Sequence, residues 1–206
     1  MIGIVDYGTG NISSVANALE HLGVDCRVVN KPDEIDEMER LILPGVGAYA
    51  RAMGNMDKNG MTEAIKRHIE AGKPFLGICL GMQMLSSVGF EEGPVAGLGI
   101  LEGEVDRIPV PPKVCLPHVG WNTIQRRAKH PMFEGIREDV DFYFVHSYCF
   151  KHCDPRYALS VTEYAGTAFV SSVAKGSALG VQFHPEKSQE NGLKILENFC
   201  RWDGKC

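Results

Sequence analysis

The sequence predicts a three-layer α/β protein with a mostly parallel central sheet and an additional antiparallel or mixed sheet in its second half. Two observations support this class. Up to about residue 98, short continuous apolar runs alternate with segments of helical periodicity, as in a parallel sheet covered on both faces. Beyond that point, strand-like segments follow one another with only short turns between them, which favours antiparallel or mixed pairing.

The first half is predicted to hold four strands and at least two helices. The strands are MIGIVD (1–6), CRVV (26–29), RLILP (40–44) and PFLGI (74–78). Ile12, Val15 and Leu19 share the spacing of a helix that Gly23 ends. A second helix begins near Met61 and stops at Gly72.

The second half is predicted to be built from strands and one closing helix. The strand-like segments are LGILEGEVDRI, KVCLPHVGWNTI, VDFYFVHSYCF, YALSVTEYAG, TAFVSSVAKG and SALGVQFHPE. GLKILENFCRW (192–202) is an amphipathic helix. Because no repeat, low-complexity tract or linker interrupts the chain, we expect a single domain over 1–206.

Composition excludes several classes of function. The net charge of -5 and the scattered Lys and Arg residues argue against nucleic acid or an anionic membrane as partner. The N-terminus has neither a basic start nor a long apolar segment, so we expect no signal peptide and no membrane span. The seven irregularly spaced cysteines favour a reducing compartment, the cytoplasm, over a disulfide scaffold.

One cluster resembles a metal site superficially, formed by His146, Cys149, His152 and Cys153. The surrounding FYFVHSYCF alternates like a strand, and no Cys-x-x-Cys pair is present. We therefore expect neither a metal nor a cofactor.

Cys79 lies in Gly77-Ile78-Cys79-Leu80-Gly81, between an apolar strand and an expected helix. A buried free thiol is the ordinary interpretation of a lone cysteine. However, strand, Gly-x-Cys-x-Gly and helix together form a nucleophile elbow, in which the glycines let strand and helix pass closely. The helix dipole then favours the thiolate, and the backbone N–H of Leu80 points to where an oxyanion would form.

A cysteine nucleophile needs a base, and His184 is the best placed of the seven histidines. Pro185 favours an extended backbone at His184, so the side chains of His184 and Glu186 are expected on the same side. The carboxylate would then fix the imidazole tautomer. A plain surface pair near a strand end is the alternative.

Two glycine loops follow predicted strands. Gly45-Val46-Gly47 is either a second source of oxyanion donors beside the elbow or a simple strand-to-helix turn. Gly8-Thr9-Gly10-Asn11 matches only part of a phosphate-binding pattern, and capping of the first helix by Asn11 is the simpler expectation.

These motifs together resemble a known family. GICLGMQ with FHPEKS is similar to the class I, or triad, glutamine amidotransferases, which have a flavodoxin-like fold. MIGIVDYGTGNISSV, LPGVGAY, PHVGWN and FVHSY resemble one branch of that family, the glutaminase subunits of imidazole glycerol phosphate synthases. The resemblance runs from Met1 to about Ser188.

The resemblance implies a role for each matching residue. Cys79 would be the nucleophile, His184 the general base and acid, and Glu186 its orienting group. The other implied sites are the oxyanion loop of Gly45, Val46 and Gly47 with Leu80; the glutamine contacts Gln83, Glu91, His146, Ser147 and Tyr148; and the partner face or ammonia exit formed by Asn11, Trp121, Asn122, Tyr143 and Lys187. The implied partner is a (β/α)₈-barrel cyclase subunit in a heterodimer, and the substrate is L-glutamine.

Some positions depart from the family pattern. Tyr49 stands where Phe is more usual, Ser86 and Ser87 replace a bulkier pair, and the C-terminal Gly204-Lys205-Cys206 has no assigned role. Three alternatives stay open at this point: a glutaminase subunit of anthranilate or aminodeoxychorismate synthesis, a free-standing cysteine hydrolase or peptidase, and a redox-sensing binding module.

Overall fold

The computed structural model describes residues 1–205, and Cys206 lies outside the described residues. The strands are β1 (Ile2–Val5), β2 (Cys26–Val29), β3 (Arg40–Gly45), β4 (Phe75–Cys79), β5 (Val88–Gly89), β6 (Val95–Ala96), β7 (Glu104–Arg107), β8 (His118–Thr123), β9 (Gln125–Arg126), β10 (Asp141–His146), β11 (Tyr148–Lys151), β12 (Ala158–Tyr164), β13 (Thr167–Lys175) and β14 (Ala178–Val181). The α-helices are α1 (Ile12–His21), α2 (Pro32–Asp36), α3 (Tyr49–Lys58), α4 (Met61–Glu70), α5 (Leu80–Gln83) and α6 (Gln189–Arg201).

The parallel part of the sheet has the strand order β2-β1-β3-β4-β14. Its register places Gly45 opposite Cys79 and Val181 opposite Ile78. Because the carboxyl ends of parallel strands meet at one edge of a sheet, the loops that follow β3, β4 and β14 converge there. The glycine loop, the cysteine turn and the His-Pro-Glu segment all occupy this edge.

The second half consists mainly of antiparallel strands, as predicted, and most of them extend the same sheet. From β14 the order continues through β13, β11, β7, β5 and β6, while β12 and β9 branch from β13. A separate two-stranded antiparallel sheet pairs β8 with β10. The predicted α/β class, a mostly parallel sheet with added antiparallel strands, is confirmed.

Apolar side chains cover both faces of the large sheet, which explains the continuous apolar runs in its parallel strands. On one face, Val15 and Leu19 of α1 pack in the same cluster as Leu196 and Phe199 of α6. On the other, Met53 of α3 packs with helix α4. The parallel strands are therefore held rigidly between two helical layers.

Two helices of the first half, α2 and α3, were not predicted. The sequence of α3, YARAMGNMDK, carries a glycine and few aliphatic residues, which weakens its helical signal. Its buried face is formed by Tyr49, Ala52, Met53 and Met56, and this spacing of three and four residues was the available signal.

The described part of the chain contains neither a metal-binding cluster of side chains nor a helix that could span a membrane. Among residues 1–205, no three His, Cys, Asp or Glu side chains are arranged to hold a metal ion. Within the same residues, no helix has the length and apolar character needed to cross a membrane.

Candidate active site

Cys79 forms the predicted sharp turn between β4 and α5. Its φ of 54° and ψ of -107° are strained for a residue with a side chain. The neighbouring glycines make the turn possible. A Cβ on Gly77 would lie 2.5 Å from the Gly81 carbonyl, and one on Gly81 would lie 1.9 Å from the Leu43 carbonyl oxygen. Strand and helix therefore pass at a distance that only glycine allows.

Helix α5 is a single turn of four residues. Because a helix dipole is the sum of aligned peptide dipoles, its effect on the Cys79 thiol is smaller than a long helix would give. The thiol has neighbours of its own. The Gln182 side-chain amide donates to Cys79 Sγ at 3.6 Å, and Sγ lies 3.9 Å from the Val145 carbonyl oxygen.

His184 and Glu186 meet as predicted, with His184 Nδ1 at 2.8 Å from Glu186 Oε1 and both side chains only 1% exposed. His184 has an extended backbone, but Pro185–Lys187 forms a short 3-10 turn rather than a continued strand. The Nε2 atom of His184 is buried and makes no hydrogen bond within residues 1–205. One imidazole nitrogen is thus fixed by the carboxylate, and the other remains available.

The charge state of His184 is set by two opposed effects. Burial is the largest and disfavours the imidazolium, but interactions with Cys79 and Glu186 outweigh it and raise the pKa of His184 to about 10. Nε2 of His184 makes no hydrogen bond to Cys79 Sγ within residues 1–205, so the favourable contact that the geometry shows directly is the one between Nδ1 and Glu186. The arrangement therefore favours the imidazolium form of His184 beside Cys79 and Glu186.

The glycine loop after β3 lies directly against the elbow. A Cβ on Gly45 would come within 2.7 Å of the Gly81 amide nitrogen, so the chain segments touch here as well. Gly47 has a φ of 96°, a value that favours glycine. Val46 is exposed, and it borders the cavity described next.

A cavity of about 480 Å³ opens beside Cys79. Its lining includes every residue predicted to contact glutamine and three of the four predicted oxyanion residues: Gln83, Glu91, His146, Ser147 and Tyr148, with Val46, Gly47 and Leu80. Gln83 donates both amide hydrogens into the protein, to the Tyr148 carbonyl and to Gln182. Glu91 accepts a hydrogen bond from the Tyr49 amide at 2.7 Å.

The predicted capping of α1 by Asn11 is wrong. Asn11 precedes the helix but makes no side-chain capping bond, because its ψ of 56° departs from the extended conformation of a typical cap. Its side-chain amide instead donates to Glu186 Oε1 at 3.1 Å. The N-terminal glycine loop therefore contacts the buried carboxylate directly.

The structure divides the predicted partner-face residues into two groups. Trp121 and Tyr143 are paired across β8 and β10, with ring centroids 6.1 Å apart, and the Lys187 ammonium lies 5.8 Å from the Tyr143 ring. These three residues form one patch, with Trp121 48% exposed. Asn122 faces the other way, because successive residues of a strand point to opposite sides, and it bonds inward to His118.

Sequence reasoning missed two buried polar residues of the site. Gln182 links the amide of Gln83 to the Cys79 thiol. Ser188 donates to the His184 carbonyl at 2.6 Å and accepts from the Tyr143 amide, which fixes the turn that carries His184. For Gln182 the signal was available: in an extended segment it shares the side of His184, two residues on.

Comparisons with known proteins agree with this geometry. The family described as "Glutamine amidotransferase class-I" matches residues 3–202. "Imidazole glycerol phosphate synthase subunit HisH" of Caldanaerobacter subterraneus is 48% identical over 199 residues, covering 97% of each chain. The protein of the same name from Aquifex aeolicus is 46% identical, covering 96% of this chain and 95% of its own.

Solved structures support the fold. The chain is similar to the structure of PurLQS from Thermotoga maritima, with a TM-score of 0.77, 21% identity and 97% of each chain covered. It is also similar to a crystal structure of a glutamine amidotransferase, with a TM-score of 0.73, 21% identity, and 97% and 98% of the two chains covered. The chain belongs to the class I glutamine amidotransferase family, in the branch of the imidazole glycerol phosphate synthase subunit HisH proteins.

Proposed function

We propose that this chain hydrolyses glutamine through Cys79, His184 and Glu186 and delivers the ammonia to a synthase partner. The observation that carries the proposal is the buried His184–Glu186 pair next to the strained Cys79 at the wall of a cavity. Cys79 supplies a nucleophile, His184 a base and Glu186 an orienting group, and both Cys79 and Glu186 interact with His184. The chain acts as the glutamine-hydrolysing subunit of an imidazole glycerol phosphate synthase in histidine biosynthesis.

The reaction has two halves. The Cys79 thiolate attacks the side-chain amide carbon of glutamine, and His184 protonates the departing ammonia as the C–N bond breaks. Water, deprotonated by His184, then attacks the γ-glutamyl thioester, which releases glutamate and restores the thiolate. Glu186 keeps the Nδ1 proton of His184 in place throughout.

The negative oxygen that forms in each half needs hydrogen-bond donors. We assign this role to the Leu80 amide together with the loop of Gly45, Val46 and Gly47, which lies against the elbow. Glutamine occupies the cavity between this loop and the residues Gln83, Glu91 and His146–Tyr148.

The partner is a (β/α)₈-barrel cyclase subunit, which uses the ammonia to make imidazole glycerol phosphate and an aminoimidazole carboxamide ribotide. The patch of Trp121, Tyr143 and Lys187 is the proposed contact, because it combines the exposed Trp121 ring with Lys187, the residue that follows Glu186 of the triad. We place the complex in the cytoplasm, since the six cysteines among residues 1–205 are free thiols.

Glutamate release by the chain alone and with a cyclase subunit tests the proposal. We expect the partner to raise the rate, and Cys79→Ala to lower the partner-stimulated rate about a thousandfold or more. Cys115→Ala, which removes an exposed thiol, is the matched control and should act like the wild type. Full activity without a partner would favour the free-standing hydrolase, and activity retained in Cys79→Ala would exclude the thioester.

A further inference from the structure

A chain of buried hydrogen bonds connects strand β8 with the wall of the glutamine cavity. The Asn122 amide lies 3.2 Å from His118 Nε2, and His118 Nδ1 lies 3.1 Å from His146 Nε2. His146 Nδ1 in turn lies 2.8 Å from the Tyr148 carbonyl oxygen. The proposed mechanism leaves both the His118 ring and this chain unexplained.

The donor and acceptor roles are fixed at both ends of this series of hydrogen bonds, so the direction of every bond in the series is fixed. A carbonyl oxygen only accepts, so His146 carries its hydrogen on Nδ1 and presents a bare Nε2 to His118. His118 therefore donates from Nδ1 and accepts at Nε2. The Asn122 amide is oriented to donate, because its oxygen accepts from the Thr123 amide at 2.8 Å while its nitrogen donates to the Glu163 carbonyl at 2.9 Å.

This series of hydrogen bonds can form only while the rings of His118 and His146 are both neutral. Protonation of His146 would place a hydrogen on Nε2 against the His118 Nδ1–H across 3.1 Å, and protonation of His118 would place one on Nε2 against the Asn122 amide N–H across 3.2 Å. His118 and His146 are only 3% and 6% exposed. Burial is the main reason that the pKa of His118 falls to about 4 and that of His146 to about 3.

The Tyr148 carbonyl is a junction of the site. It also accepts from the Gln83 amide at 2.9 Å, and Gln83 donates to Gln182, whose own amide donates to the Cys79 thiol. Tyr148 and His146 line the cavity. A shift of the Tyr148 peptide would therefore move the cavity wall and, through Gln83, weaken the hydrogen bond that Gln182 donates to Cys79 Sγ.

We infer that His118 is a positioning residue for glutamine turnover: by donating to His146 it selects the tautomer that holds the Tyr148 peptide at the cavity wall. The inference deepens the proposed function and rests on it. Without the His118 donor, His146 can place its hydrogen on Nε2 and turn a lone pair toward the Tyr148 carbonyl, which repels that peptide.

Two substitutions separate hydrogen bonding from packing. His118→Phe keeps an aromatic ring, which the stacked neighbours Phe144 and Tyr164 accommodate at centroid distances of 5.0 and 4.2 Å, but it has no donor. His118→Asn loses the ring but supplies an amide donor near the position of Nδ1. Each variant is assayed with the cyclase subunit.

For His118→Phe we expect the KM for glutamine to rise about 5- to 30-fold, the effect of one lost buried hydrogen bond, with a smaller change in kcat. His118→Asn should return KM to within about threefold of the wild type, since a donor is restored. A folded His118→Phe variant with wild-type KM would overturn the inference. So would equal impairment of both variants, which indicates a packing role.

A second measurement does not depend on how the variants fold. Nitrogen NMR of the wild-type protein labelled at its histidines should show both rings neutral at pH 7 with the hydrogen on Nδ1, whereas free histidine prefers Nε2. A hydrogen on Nε2 of either ring would overturn the inference. Failure of the wild-type complex to release glutamate is a different result, because it would overturn the proposed function itself.

Discussion

At the scale of single residues, Glu186 has more than one task. It accepts from His184 and from Asn11 through the same oxygen, while its Oε2 has no hydrogen-bond partner within residues 1–205. A buried carboxylate with so few donors depends strongly on each of them. His184 and Asn11, which share this one oxygen, are therefore the sensitive points of the site.

Asn11→Ala tests the loop contact with Glu186. We expect kcat/KM for glutamine hydrolysis to fall about 5- to 30-fold, because the carboxylate that orients His184 loses one of its donors. Asn30→Ala, which truncates an exposed asparagine after β2, is the control and should leave kcat/KM unchanged. Equal activity of the two variants would mean that the Asn11 contact has no catalytic consequence.

Glu186→Gln tests the electrostatic part of the account through pH. The carboxylate favours the imidazolium, so replacing it with a neutral amide lowers the pKa of His184 from its raised value of about 10. The decline of glutamate release at high pH should then move about one unit or more toward neutrality. The exposed Glu190→Gln variant should keep the wild-type profile. Coincident high-pH limbs for all three proteins would refute the role of the Glu186 charge.

At the scale of elements, the turn at Cys79 depends on the close passage of α5 over β3 and β4. Gly81→Ala places a Cβ at 1.9 Å from the Leu43 carbonyl oxygen. Because this oxygen belongs to the backbone of β3, it cannot move aside without displacing the strand. We expect the free energy of unfolding in urea to drop by about 3 kcal/mol or more.

Gly54→Ala is the matched comparison, because this helix position in α3 has open space around it. Alanine there should leave the free energy of unfolding unchanged or raise it by up to about 1 kcal/mol. If the two alanines had similar effects on unfolding, the close passage at the elbow would not be the reason for its glycine.

The sequence predicted the elements that are continuously apolar or end in special residues. The strands β1 to β4, the Gly-x-Cys-x-Gly turn and the proximity of His184 to Glu186 follow from local rules, and the structure has all of them. The side of the strand on which Gln182 lies was predictable, but its contact with Cys79 and the contact of Asn11 with Glu186 were not. They join residues 175 and 103 positions apart, so only the packed fold brings them together.

At the scale of the whole molecule, buried neutral histidines link folding to pH. Burial, as the main cause, lowers the pKa of His68, His118 and His130 to about 4 and that of His146 to about 3. In the unfolded chain these groups take up protons below their ordinary value of 6.5, while in the fold they do not. The unfolded state therefore binds more protons, and the free energy of unfolding falls as pH drops from about 6.5 toward 4.

Each such histidine contributes a slope of up to about 1.4 kcal/mol per pH unit in this window. His68→Gln keeps a donor for the Pro74 carbonyl but does not titrate. The dependence of the free energy of unfolding on pH, measured by urea unfolding, should therefore become less steep by the contribution of one histidine. His21→Gln, at an exposed site, should not change it. His184 does not contribute to this slope well below pH 6.5, because there it is protonated in the fold through its raised pKa and in the unfolded chain through its ordinary one. A slope unaffected by His68→Gln would show that His68 is charged in the fold.

The central claim is that Cys79 generates the ammonia that a partner subunit consumes. The most direct measurement is product formation by the complex of this chain with the proposed cyclase subunit, supplied with either glutamine or an ammonium salt. We predict that Cys79→Ala abolishes the reaction with glutamine and leaves the reaction with ammonium at the wild-type rate. Product formed from glutamine by the Cys79→Ala complex would contradict the account.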